Sequence, residues 1–154
     1  NLFGAPTETI KEMIETLLLN AQANVDIPVS GIVVPYKSTK LYDIAKDLNC
    51  LGDVVYNNYG VSINPVDGTS KKHIEFLREY TIEIVKLMSY FINKYDNSKP
   101  YIDFITDIIS NQNLPFDDLL MYHDLFFKGK SIDLIYEKME SKFGREKTIF
   151  NKDK

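Results

Sequence analysis

Between Ser70 and Tyr95 the apolar residues recur as one helix face requires. Ile74, Leu77, Ile84, Val85, Met88, Phe91, Ile92 and Tyr95 follow the three-four spacing that lines a single side. Phe76, Tyr80, Leu87 and Tyr90 form a second strip beside the first. A surface helix needs only the first strip, so the width of this face predicts a helix running through the middle of a bundle. At 1.5 Å per residue a helix over 70–95 is roughly 39 Å long. The chain that flanks it must wrap it on most sides.

The flanks read mainly as further helices. Thr9 and Glu12 have capping-box spacing, followed by Ile10, Met13, Ile14, Leu17, Leu18 and Ala21 on one face, with an end expected by Asn24. Residues 29–34 are β-branched and bounded by breakers, which predicts a strand. Ser38 or Thr39 then caps a helix carrying Leu41, Ile44, Ala45 and Leu48. Residues 54–63, with Asn57, Asn58 and Gly60 at their centre, suit a hairpin. Pro100 opens a helix with Tyr101, Ile102, Ile105, Ile108 and Ile109 inward. Asp117 and Asp118 open another, and Ser131 caps the last, closed by Gly144. The expected fold is mainly α: a single-domain bundle of about six helices over residues 1–150, around the helix 70–95. A small β element from 29–34 and 54–63 sits at one side, and residues 151–154 form a loose tail.

With 154 residues and 44 % apolar content, such a domain can hold a core without staples. The one cysteine, Cys50, rules out an internal disulfide and argues for a reducing compartment. No apolar run approaches the roughly 20 residues of a membrane span. Abundant Ile, Asn, Lys and Tyr match the codon usage of an AT-rich genome, and a soluble, cytoplasmic, bacterial protein is expected. The net charge of −4 is unevenly spread. Residues 1–127 carry 10 basic and 17 acidic groups, whereas residues 128–154 carry 8 basic and 5 acidic. That asymmetry marks the C-terminal stretch as the part suited to an anionic partner, although a lysine-rich solvated helix has the same composition.

Motifs that would carry chemistry are absent: no phosphate loop, no dinucleotide fingerprint, no His-Glu-x-x-His, no Cys-x-x-Cys. His73 and His123 each lack the acidic residue three positions earlier that a dimetal bundle site needs. His73 reads as exposed, beside Lys71 and Lys72. His123 is flanked by apolar residues, and a catalytic reading would join it to Asp117, Asp118 or Asp124, with Cys50 as nucleophile. A structural histidine and an inert core cysteine are the plainer reading. Glu75, Glu79 and Glu83 form a stripe best read as a solvated face. No catalytic, cofactor-binding or metal-binding residue is assigned.

Two stretches bear a family resemblance. Leu41 to Cys50, with Ile44 and Ala45 in place, is similar to the opening helix and turn of bacterial helix-turn-helix repressors. It departs at Asn49, where that pattern has glycine, and residues 51–60 contain no Lys or Arg. Residues 125–147, through Lys128-Gly129-Lys130-Ser131, resemble the turn and helices of Myb-like DNA readers. That resemblance implies phosphate contacts by Lys128, Lys130, Lys142, Arg145 and Lys147. The leading expectation is a non-enzymatic protein-interaction or regulatory domain, binding another protein or a second copy of itself. Tyr36, Tyr42, Tyr56 and Tyr59 are its candidate contact residues. The alternative is a DNA-binding transcription regulator working through residues 125–147.

Overall fold

The computed structural model describes residues 1–53, 61–65 and 68–110, all within one compact unit whose boundary follows Asn113. Two short strands and five helices occupy these residues: β1 (Leu2–Phe3), α1 (Ile10–Gln22), β2 (Gly31–Ile32), α2 (Lys40–Asp47), α3 (Lys71–Glu79), α4 (Thr81–Lys94) and α5 (Lys99–Ser110). The unit is mainly helical, as expected. The bundle's last predicted helices, the 54–63 hairpin tip, the 151–154 tail and the single-domain reading of 1–150 reach beyond the described residues.

α1 forms as its sequence requires. The Thr9 side chain accepts from the Glu12 N–H, and Glu12 returns the bond to the Thr9 N–H at 2.8 Å. Ile10, Met13, Ile14, Leu17 and Ala21 are buried. The helix stops in a Schellman motif: Val25 N–H reaches the Asn20 carbonyl, Asn24 N–H reaches Ala21, and Asn24 sits at φ 50°. α2 ends the same way around Asn49, at φ 51°. α5 buries all five of its predicted inward residues.

α1 packs chiefly on α4 and also meets α3 and α5. Ser89 Oγ donates to the Ala21 carbonyl at 3.2 Å, and Asn93 to the Asn24 side chain at 3.0 Å. The near-constant offset between these partners means that α1 and α4 run in the same direction. Met13, Leu17, Val85, Met88 and Phe91 lie in the resulting core.

The single helix predicted over 70–95 is two helices. Tyr80, at φ −102° and ψ 20°, separates α3 from α4. No glycine or proline marks the break; it coincides with a cluster of hydroxyls instead. Thr81 Oγ1 lies 2.7 Å from the Leu77 carbonyl, and Ser30 Oγ lies 2.8 Å from the Arg78 carbonyl and 2.6 Å from Thr81 Oγ1. Side-chain groups entering the carbonyl ladder bend helices. Two hydroxyl protons serve three contacts here, so at most two are hydrogen bonds at once.

The β element also differs from expectation. Only Gly31–Ile32 of residues 29–34 is a strand, and its partner is Leu2–Phe3, in parallel, rather than the 54–63 segment. Parallel strands need a crossover, and α1 supplies it. β1, α1 and β2 therefore make a miniature βαβ unit. Near the second segment, Leu51 pairs antiparallel with Ile63, so the chain reverses between them. Leu51 is thus bridged at the position where the second helix of a repressor-like motif would begin, and residues 54–60 of that helix lie outside the described residues. Gly4 leaves β1 at φ +81°, and an added Cβ there would meet Ile74 at an ordinary 3.6 Å. Gly4→Ala is therefore expected to cost about 1–2 kcal/mol from backbone conformation alone, read as a lower urea midpoint.

Candidate functional site

The ribbon of β1 and β2 has two unlike faces. Phe3 and Ile32 point into the core and are almost fully buried. On the other face Leu2 is 67 % exposed and Val29 71 %, with Ile27, two residues earlier, at 72 %. Asn1 holds these segments together: its backbone nitrogen donates to the Val29 carbonyl at 2.6 Å, and its carbonyl accepts from Gly31 N–H at 3.1 Å. Asn20 of α1 donates to the Asn1 side chain at 2.9 Å, anchoring the ribbon to the helix. Parallel sheets are ordinarily covered on both sides, and this one leaves an apolar side open. Leu19, 64 % exposed on the solvent side of α1, is an isolated apolar residue of the ordinary kind.

The predicted contact tyrosines are divided. Tyr36 is 51 % exposed just before α2, while Tyr42 is half-buried on it. Tyr56 and Tyr59 lie outside the described residues, as do Lys128, Lys130, Lys142, Arg145, Lys147 and His123. α2 turns Ala45 inward, whereas Ile44 and Leu48, the other apolar residues read on this helix with Leu41, are 39 % and 45 % exposed. Thr39 caps the helix, accepting from Tyr42 N–H at 3.3 Å.

Among the described residues, Cys50, His73 and Glu8 are built into the packing and turns of the fold. Cys50 is 2 % exposed and its thiol donates to the Ala45 carbonyl at 3.3 Å, the environment of a core cysteine. His73, predicted to be exposed, is buried, with Nδ1 2.8 Å from Ser70 Oγ at the start of α3. The apolar face of α3 is wide enough to carry it inward. Of the carboxylate stripe, Glu79 is exposed beside Arg78 at 3.8 Å, whereas Glu83 is half-buried with one oxygen shut away from solvent. The stripe is therefore not a uniformly solvated face.

Glu8 Oε2 accepts from Gly4 N–H at 2.8 Å and from Ala5 N–H at 3.1 Å, fixing the turn from β1 to α1. Burial pushes its pKa up; the two backbone donors oppose the shift, and Glu12 adds to it. Lys94 donates to the Tyr90 hydroxyl at 2.5 Å, and this bond raises its pKa. Its Nζ lies 5.0 Å from the centre of the Tyr90 ring, a distance that puts it off the hydroxyl end rather than over the face. Among the described residues, no group of three His, Cys, Asp or Glu is placed to hold a metal, and no helix is long and apolar enough to cross a membrane.

Missing from the sequence-based set were Leu2 and Ile27. The alternation of Val25, Ile27 and Val29 was the available signal, and it resembles a connection because Pro28 interrupts it. No protein-family model matches the chain, and neither a curated protein nor a solved structure matches it.

Proposed function

We propose that this chain is a non-enzymatic protein-interaction domain whose contact face is the outer side of the β1–β2 ribbon. The supporting observation is that Leu2 and Val29, each about two-thirds or more exposed, are brought together by the backbone bonds of Asn1 to Val29 and Gly31, with Ile27, equally exposed, two residues upstream. Single exposed apolar residues are common on soluble proteins, whereas a contiguous group is the mark of an interaction surface. Rigid support limits the entropy lost on association, and the Asn1 and Asn20 bonds supply it. The partner suited to this face is a protein surface with an apolar centre.

Site-specific photo-crosslinking in the native cells tests this reading. A photoreactive residue replacing Ile27 is expected to yield a discrete heavier adduct, identified by mass spectrometry and lost when Leu2→Asp is added. The same probe replacing Leu19 should yield none. Equal labelling at both positions, or no adduct at position 27, would remove the proposal.

A further inference from the structure

A second exposed apolar surface lies on α2, where Ile44 and Leu48 are 39 % and 45 % exposed. We infer that two copies of this chain associate through α2, packed antiparallel about a two-fold axis. The half-buried Leu41 and the exposed Ile44 and Leu48 have the spacing of an apolar seam along one side of this eight-residue helix. Lys40 and Asp47 are exposed, seven residues apart, and therefore nearly aligned along the outer edge of the same seam. Neither charge takes part in an ion pair among the described residues.

The placement of these two charges runs against their own helix. Lys40 is the first residue of α2 and Asp47 the last. A helix dipole favours anions at the start and cations at the end, so each stands at its unfavourable pole. Asp43 and Lys46, on the opposite side, are arranged as the dipole prefers. Antiparallel pairing of two copies inverts the balance for the seam charges. Lys40 of each copy then lies beside Asp47 and the negative helix end of the other, forming two symmetry-related ion pairs. A parallel pair would instead place the two charged edges on opposite sides of the contact, where Lys40 and Asp47 meet no opposite charge from the other copy. The pattern is thus self-complementary in one orientation only, as an isologous contact requires. A helix about 12 Å long offers a contact below the roughly 1,200 Å² of standard interfaces, so the dimer is weak and reversible.

Sedimentation velocity over a concentration series reaching the millimolar range tests the inference. The native chain should rise from monomer towards dimer mass. Lys40→Asp alone and Asp47→Lys alone each set like charges together at both ends of the pair, and each should weaken association at least tenfold. The combined Lys40→Asp/Asp47→Lys variant should restore it to within a few-fold, and Ile44→Asp should abolish it. Since the combined exchange also suits the helix dipole, its circular-dichroism melt should be no lower than native. Leu2→Asp, on the ribbon face, should leave the dimer intact. A constant monomer mass overturns the inference. So does a dimer indifferent to the single reversals or to Ile44→Asp, or a combined variant that stays monomeric. Dissociation by Leu2→Asp would assign the self-contact to the ribbon instead.

Discussion

Phe91→Ala is expected to lower the unfolding free energy by about 3–5 kcal/mol, the range for emptying a buried aromatic site. Phe91 is 1 % exposed and joins two helices through its ring. It stacks on Tyr101 of α5 at 4.9 Å and 7°, faces Tyr95 at 6.1 Å and 16°, and meets Tyr90 edge-on at 5.4 Å. Each aromatic pair adds about 0.5–1.5 kcal/mol beyond area burial, so the loss exceeds that of the side chain's surface alone. The surrounding rings are fixed by the backbones of α4 and α5, which limits collapse into the void. A urea titration should show a lower midpoint with an unchanged slope. A loss below about 1 kcal/mol would mean that the cluster repacks and that Phe91 is not its keystone.

Glu8→Ala should cost about 2 kcal/mol, because it strips the acceptor from two backbone N–H groups at the turn into α1. Glu8→Gln retains an acceptor and removes the charge, which separates the hydrogen bond from its electrostatics. Burial raises the pKa of Glu8 in the folded state, so the fold binds this proton more tightly than the unfolded chain does. The stabilisation linked to that proton is complete below the unfolded pKa and is lost as pH rises through the folded one. Relative to Glu8→Gln, the native chain should therefore gain stability as pH falls from neutral into the carboxylate range. A flat difference between the two proteins over that interval would contradict the assigned role of burial.

Local rules were legible in the sequence where the determinants lie within a few residues of one another. The Thr9–Glu12 capping box, the Asn24 stop and the inward face of α5 all appear as read. The break at Tyr80 was not legible, because a hydroxyl from Ser30, far away in sequence, meets the ladder there. A two-residue strand at Leu2–Phe3 is too short to display a period, and its partner was consequently assigned elsewhere. The lysines beside His73 suggest a solvated position, yet its place on α3 turns it inward. Exposure of Ile44 and Leu48 depends on how α2 is rolled against the body, which periodicity alone does not specify. The candidate contact face has the same character: its members come from residues 2 and 27–29, and only the crossover brings them together.

The interruption at Tyr80 sets the direction of α4 relative to α3. α4 extends about 21 Å beyond it, so a 5° change of direction there displaces the far end by roughly 2 Å. Ser30 sits between the ribbon and this fulcrum, bonded to the chain on its inner side. The hydroxyl of Ser30, next to Val29, reaches the Arg78 carbonyl on one side of the interruption and Thr81 on the other, while Ser89 and Asn93 tie the far end of α4 to the end of α1.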